Sequence, residues 1–454
     1  NDILMYMCFS KTPAFSPSGD CRPFSDRADG TIIGEGLGMF ALRRLDDAER
    51  DGNHVYAVIR GLGSSSDGRA TSVYAPRPDG QALALRRAYE EAGYSADTVE
   101  LVEAHGTGTV AGDAAEFESL RSVFGAYNGE HRQWCALGSV KSQIGHTKAA
   151  AGAAGLFKVA MALHHKVLPP TIKVDRPNPE IRIDESPFYL NTQARPWIRN
   201  STHPRRASLS SFGFGGSNFH LTIEEYTGPS NRPPRIRVAA IDLVLMSGNT
   251  SEDLAREMSE LAKQAAASSD LTALARHCRA RFDRSHVHRL AVIATSSADL
   301  ADKLGRAADG IAVKGVHMGH GAPTDDKIAF LFPGQGSQYI NMGAGLTMEF
   351  DDARTVWDRA ADVTELANLP RVVFPPAAFD DDERERQTAR LIEMANAQPA
   401  IAVTSLTQLA LLKAAGLSPD FVAGHSFGEI TALHAAGAID EITTIRIARR
   451  RGEL

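Results

Sequence analysis

The chain has 454 residues, 43% of them hydrophobic and 23% charged, the balance of a soluble globular protein of two to three domains. A formal net charge of −6 gives no reason to expect nucleic acid or an anionic membrane as partner. The most apolar run, Ala149 to Leu163, contains Lys158 and is too short to cross a bilayer. Cys8, Cys21, Cys135 and Cys278 form no CxxC pair, which suits a reducing, cytoplasmic setting better than a disulfide framework. No secretory signal is legible. The chain opens without an initiator Met and stops at Arg-Gly-Glu-Leu inside a helical pattern, so both ends are expected to cut through domains.

No internal repeat is present. Residues 1–227 alternate helical and strand patterns. Helices are expected over Gln81–Ala92, Asp113–Phe124 and Thr147–His165. Strands are expected over Val99–Ala104, Cys135–Val140, Ala207–Ser211 and Phe219–Glu224. The tandem prolines of Gly228-Pro-Ser-Asn-Arg-Pro-Pro-Arg235 mark a linker. Residues 228–325 then read as a small α/β adaptor: strand Val238–Leu245, helix Ser251–Ala266, a further helix, strand Leu290–Thr295 and another helix. A second α/β unit, 326–454, opens on strand Ile328–Phe332. The charge run Asp380–Arg386 is expected as a solvated loop. The fold class is therefore α/β throughout.

Two histidines stand in matched contexts. Glu103-Ala-His-Gly-Thr-Gly-Thr109, followed by Asp113 and Glu116, lies between a strand and a helix. Gly138-Ser-Val-Lys-Ser-Gln-Ile-Gly-His146 does the same. Histidines just past strand ends suit a site at the carboxyl edge of a sheet. Two neutral imidazoles donating N–H bonds to one oxygen would stabilise the enolate left when a malonyl thioester loses CO₂. A loop histidine is more often a hydrogen-bonded structural residue, and the pairing of contexts argues against that here. Neither has a partner at metal-ligand spacing. His164-His165, His286-Val-His288 and His317-Met-Gly-His320 lack carboxylate or cysteine company and read as surface or strand histidines. Cys8, in an apolar stretch, reads as a buried core thiol.

The second chemical signal is Phe421-Val-Ala-Gly-His-Ser-Phe-Gly-Glu429, which sets Gly424-x-Ser426-x-Gly428 between an apolar strand and a helical pattern. That is the context of a nucleophile elbow. It exposes the serine above a helix N-terminus, where N–H groups favour an oxyanion. The alternative is an ordinary strand–helix turn.

These motifs carry a resemblance. HGTGT and KSxxGH, with the glycine-rich Ser211-Phe-Gly-Phe-Gly-Gly-Ser-Asn218, resemble ketosynthases of the thiolase fold. GHSxGE, with Phe332-Pro-Gly-Gln-Gly-Ser-Gln338, resembles the malonyl/acyl-CoA acyltransferases. Together they look like the ketosynthase–acyltransferase region of an iterative type I polyketide synthase. Phe9–Phe15, Tyr74–Gly80, His165–Thr171 and Ser186–Thr192 look like the first multidomain protein of polyunsaturated-fatty-acid synthases or of heterocyst-glycolipid-type synthases. The resemblance implies the C-terminal half of a ketosynthase over 1–227, a linker over 228–325 and the front of an α/β-hydrolase-like acyltransferase over 326–454. It implies His105 and His146 as catalytic, Lys141 as their support, Thr107 and Thr109 on a pantetheine arm, and Phe212 and Phe214 as gates of the acyl pocket. It implies Ser426 as nucleophile, N–H groups of Gln335 and Phe427 as oxyanion hole, and His425 as a contributor to the site. Arg451 would clamp the free carboxylate of malonyl-type substrates; a solvated basic helix face is the other account.

The implied partners are an acyl carrier protein bearing phosphopantetheine and a second copy in a homodimer, with malonyl-CoA or acyl-CoA as substrate and no metal. None of the four cysteines stands in the family's nucleophile context. The condensing cysteine is expected upstream, the acyltransferase histidine downstream, and this segment alone is expected to condense nothing. Two other readings stay open: a pseudo-ketosynthase or scaffold, and a degradative thiolase fused to a serine hydrolase.

Overall fold

The computed structural model describes residues 3–12, 14–69, 75–126, 132–199, 203–230, 241–322 and 326–454. Two compact units result, one from residues 1–235 with 329–454, the other from 236–328. Tyr74, residues 231–235 of the linker and residues 238–240 of the expected strand lie outside the described residues.

In chain order the first unit contains helix α1 (Ile3–Ser10), strand β1 (Ala57–Ser66), α2 (Pro78–Ala92), β2 (Leu101–Glu103), α3 (Val110–Phe124), β3 (Cys135–Gly138), α4 (Ala151–His165), β4 (Phe188–Leu190), β5 (Arg206–Gly213) and β6 (Ser217–Glu225). They build a six-stranded sheet in the order β1-β6-β5-β2-β3-β4. The β5–β2, β2–β3 and β3–β4 pairings are parallel; β6 pairs antiparallel with both β1 and β5. β2, β3 and β4 are buried along their whole length, as central parallel strands covered on both faces must be.

Helix α2 starts on Pro78, whose missing N–H would have no partner there, and stops at Gly93 in the left-handed conformation (φ 72°). It buries Ala84, Leu85, Ala88 and Tyr89. β1 carries no periodic apolar signal, because glycines occupy its helix-facing positions. A Cβ at Gly63 would meet the Ala84 carbonyl oxygen at 1.8 Å, and one at Gly61 the Ala88 oxygen at 2.2 Å. α1 buries none of its side chains, and Leu37 and Met39 are also exposed. Cys8 on α1 is exposed, which corrects the expected core thiol: the apolar helix around it is left largely on the surface.

The second unit has β7 (Asp242–Gly248), α5 (Ser251–Ala267), α6 (Leu271–Arg281), β8 (His288–Ala294), α7 (Ser297–Ala308) and β9 (Val316–His320). An antiparallel sheet β9-β8-β7 shares a core with Leu254, Met258, Leu300 and Leu304 of α5 and α7. His288 and His320 face each other across strands, ring centroids 4.6 Å apart. In the first unit, His164 departs from its expected surface place. It is buried in the last turn of α4, its ring 5.1 Å from that of Tyr56.

The remainder of the first unit contains β10 (Ala329–Phe332), α8 (Asp351–Ala361), α9 (Asp381–Ile392), α10 (Met394–Ala414), β11 (Phe421–Gly424), α11 (Gly428–Ala435) and α12 (Glu441–Glu453). β10 and β11 pair in parallel. Trp357, Phe374, Val403, Leu406 and Ile445 form the core, which also takes in Ile198. The charge run 380–386 is helical rather than the expected loop. It forms the start of α9, because Asp380 caps the Glu383 N–H at 2.7 Å and Glu383 pairs with Arg386 one turn on, also at 2.7 Å. One buried cluster joins this part to the large sheet. Arg205 holds Asp358 with both carboxylate oxygens (2.6 and 2.9 Å) and Glu225 at 2.9 Å.

Candidate active sites

β2 ends at Glu103, level with Gly138 of β3 and Leu209 of β5. The residues that follow β2 and β3 therefore emerge together, beside the part of β5 that runs on past Leu209 to Gly213. His105 comes two positions past Glu103. His146 comes after the short helix Lys141–Ile144 and Gly145 (φ 72°), and it bridges to Ile33. Phe212 lies near the end of β5. These loops enclose a cavity of about 500 Å³ lined by His105, His146, Thr107, Thr109, Phe212 and Phe214. The two imidazole centroids are 5.4 Å apart, with ring planes at 83°.

Both rings are neutral donors. Burial, then the nearby Lys141 and His146, hold His105 well below the ordinary histidine pKa. Burial, then Lys141 and Lys148, push His146 down to about 3. His105 Nδ1 accepts the Phe212 N–H at 3.3 Å, and His146 Nδ1 accepts the Lys148 N–H at 3.0 Å. A neutral imidazole that accepts at Nδ1 carries its proton at Nε2. Each ring therefore presents one Nε2–H.

Beneath the rings is a buried charge cluster. Lys141 donates to the His105 carbonyl oxygen. Burial lowers its pKa against the pull of Glu103 and Glu116. Glu116 accepts the N–H groups of His105 and Gly106, each at 2.7 Å, and burial raises it to about 7. Asp113 accepts those of Phe24 and Gly108 (2.7 and 3.1 Å), and burial likewise raises it to about 7. Glu103 takes the Val140 N–H at 2.6 Å and pairs with Lys158 at 2.7 Å. This cluster fixes the backbone of both histidine loops. Thr107 and Thr109 share a hydrogen bond of 2.9 Å between their hydroxyls. Phe212 is buried, whereas Phe214 is 60% exposed, its ring 5.6 Å from that of Phe9. None of the four cysteines lines the cavity. Cys21 is buried with Sγ 3.2 Å from the Thr107 oxygen, and burial pushes its thiol up to about 11, the opposite of what a thiolate nucleophile needs.

Ser426 sits between β11 and α11 with φ 54°, a left-handed backbone held by its surroundings. The turn has no room for side chains. A Cβ on Gly424 would lie 2.1 Å from the Gly428 carbon, and one on Gly428 2.1 Å from the Phe332 oxygen. His425 and Ser426 are exposed and Phe427 is buried. The Pro333–Gly336 loop packs against this elbow: His425 donates its N–H to the Phe332 oxygen at 3.1 Å, and a Cβ on Gly334 would lie 3.2 Å from that of Ser426. Gln335 is exposed in that loop. Arg451 is exposed on α12, which packs on α10 and α11. Its neighbours Arg449 and Arg450 pair with Glu453, and Arg451 makes no ion pair among the described residues.

The sequence matches four families: "Beta-ketoacyl synthase, N-terminal domain" over 3–48, "Beta-ketoacyl synthase, C-terminal domain" over 56–175, "Ketoacyl-synthetase C-terminal extension" over 177–293 and "Acyl transferase domain" over 329–454. The chain belongs to the ketosynthase–acyltransferase region of the polyketide synthases. It is 37% identical over its full length to a polyunsaturated fatty acid synthase protein of a Thraustochytrium species, covering 17% of that protein. It is 35% identical over 98% of its length to the polyketide synthase GfsA of Streptomyces halstedii, covering 6% of it. A ketosynthase from module 6 of the bacillaene synthase of Bacillus subtilis 168 aligns with a TM-score of 0.49 and 34% identity, over 70% of this chain and 55% of that one. The chain thus spans a small part of the curated synthases it matches.

In the ketosynthase part, several contributors escape motif reading. Lys148 lines the cavity with Nζ 3.2 Å from the Phe9 ring centroid, and its N–H orients His146. Lys158 neutralises Glu103 from a helix face that reads as small and apolar. The backbone donors of Phe212 and Lys148 leave no mark in side-chain identity at all.

Proposed function

We propose that the parent synthase extends acyl chains by decarboxylative Claisen condensation and loads its units through Ser426. One observation carries the ketosynthase half: two neutral imidazoles, each with its proton at Nε2, face one cavity at 5.4 Å. As a malonyl thioester loses CO₂, the electron pair of the broken C–C bond moves into the thioester carbonyl. His105 and His146 donate to the resulting enolate oxygen. The enolate carbon then attacks an acyl thioester, a new C–C bond forms, and the thiolate that carried the acyl group leaves. That thiol comes from outside this segment, since none of Cys8, Cys21, Cys135 and Cys278 lines the cavity. Thr107 and Thr109 would bind the phosphopantetheine arm of an acyl carrier protein, Lys141 would hold the His105 loop, and Phe212 and Phe214 would flank the acyl chain.

For the acyltransferase half, Ser426 Oγ attacks an acyl-CoA thioester, and the thiol of CoA leaves with the proton. The carrier's thiol then takes the acyl group from the serine ester. The N–H groups of Gln335 and Phe427 would hold the tetrahedral oxyanion, with His425 beside them and Arg451 on the free malonyl carboxylate. A cytoplasmic location agrees with cysteines that form no disulfide and with no described helix being long and apolar enough to cross a membrane. The exposed apolar residues of α1 suit contact with further synthase sequence or a second copy. The test is loading of the full-length synthase with radiolabelled malonyl-CoA and acetyl-CoA. Ser426→Ala should abolish both labels, and Arg451→Ala should lose malonyl but keep acetyl. Full labelling of Ser426→Ala would refute the transfer role.

A further inference from the structure

We propose that an arginine-lined cleft that shares no lining residue with either site, centred on Arg195, Arg371 and Tyr189, binds a phosphate-bearing small molecule. Arg195 is 7% exposed. Its Nη2 donates to the Phe374 carbonyl oxygen, while Nε and Nη1 are buried without a partner among the described residues. Its guanidinium lies 5.1 Å from the Tyr189 ring centroid, and that of Arg371 lies 5.6 Å from the same ring. Arg371 donates to the Gln133 oxygen. The positive charges of Arg195 and Arg390 act on it from nearby.

Among the described residues no carboxylate pairs with Arg195, Arg371 or Arg390. Arg205, also buried in the same unit, takes two. Two cavities, about 450 and 570 Å³, share Tyr189, Arg371 and Arg390. The smaller is also lined by Trp134, whose buried indole N–H lacks a partner among the described residues. The carboxylates lining that cavity already have donors: Glu100 takes the Trp197 indole N–H at 2.8 Å, and Asp97 takes the Ser95 hydroxyl. In the larger one Glu383 pairs with Arg386 and Asp380 caps α9, while Asp184 lines the rim beside Arg182.

Three cations and three unmet N–H donors around one space call for a ligand that is anionic and rich in acceptors. An unmet buried donor is destabilising, and a phosphate monoester offers three acceptor oxygens sharing its negative charge to guanidinium forks. The cavity volume exceeds what inorganic phosphate fills and is in the range of a small organic ligand. Free phosphate and the phosphates of a nucleotide-type ester share this chemistry.

The test is calorimetric titration of the full-length synthase with inorganic phosphate, pyrophosphate and adenosine 3′,5′-bisphosphate, with acetate as control. Saturable binding of a phosphate probe at submillimolar concentration is expected, weakened at least tenfold in Arg195→Gln and in Arg371→Gln. Arg390→Gln, on the exposed face of α9, removes a cation without disturbing the core and should weaken binding several-fold. A tenfold preference for the bisphosphate assigns a nucleotide source, and equal affinities assign free phosphate. No saturable binding, or binding unchanged in Arg371→Gln and Arg390→Gln while circular dichroism shows both folded, overturns the proposal.

Discussion

The backbone N–H of Phe212 points at Nδ1 of His105, 3.3 Å away, so the end of β5 decides which nitrogen of that ring carries the proton. The donor left for substrate is Nε2–H. A side chain that places an N–H at the Nε2 position should therefore substitute better than one that places it at Nδ1. Glutamine is the first kind and asparagine the second. In the full synthase, release of labelled CO₂ from a malonyl carrier should fall about 10²–10³-fold in His105→Ala, the cost of losing one oxyanion donor. His105→Gln should retain clearly more activity than His105→Asn. Equal loss in the two would remove the oxyanion role.

Acid stability carries a second signature. His220 is fully buried between Ser210 and Tyr89, and burial lowers its pKa to about 3. The unfolded chain takes up a proton at this residue near pH 6.5, while the folded chain does so only near 3. Its contribution is complete above about 6.5 and is lost as pH falls toward 3, by at most about 1.4 kcal/mol per pH unit. Asp113, Glu116 and Glu100, raised to about 7, act in the opposite sense between their unfolded values and that pH. The comparison with His220→Gln, which does not titrate, isolates the histidine. Urea unfolding measured from about pH 7.5 to about pH 5 should show a shallower acid decline in that variant. Parallel curves would contradict the assigned shift.

The contact between β1 and α2 gives a stability test with an internal control. Alanine at Gly63 would drive its methyl group to 1.8 Å from the Ala84 carbonyl oxygen, and the helix would have to move. Overpacking of this sort costs about 2–3 kcal/mol. Gly345→Ala meets nothing within 4 Å inside the helix Ala344–Glu349 and should be neutral or slightly stabilising. Thermal unfolding of the two variants checks the contrast.

The same glycines explain what sequence can and cannot reveal. Strands β2 and β3 are legible as short, mostly apolar runs, and β5 and β6 from the glycine-rich turn that joins them. β1 is not, since its contact with α2 is made by the absence of side chains. The start of α9 reads as a loop because its charges, taken as a run, repel, whereas in the helix they alternate in sign one turn apart. Of the ketosynthase cavity, the motifs bring His105, His146, Thr107, Thr109, Phe212 and Phe214 to one place. The features that make the rings donors are main-chain N–H groups and buried carboxylates, whose function depends on tertiary position. The Arg195 cleft leaves no trace, because its residues come from segments far apart in the chain.

A buried ion-pair cluster joins the ketosynthase sheet to the acyltransferase helices. Arg205 is 2% exposed, and its charge is balanced by Glu225 on β6 and by Asp358 on α8. Asp358 also accepts the Arg199 N–H at 2.8 Å. Asp358→Asn keeps the shape but removes one of the two counter-charges from a desolvated guanidinium. Breaking a buried pair from one side costs about 3 kcal/mol. Replacing the cation as well, in Arg205→Met with Asp358→Asn, leaves no uncompensated positive charge at that position. The double variant should therefore lose less than the sum of the two single losses, by about 1–3 kcal/mol of coupling. Chemical denaturation of the four proteins measures this. Strict additivity would mean that the two side chains do not stabilise one another, and that the junction rests on the apolar packing of Ile198 against Trp357 and its neighbours instead.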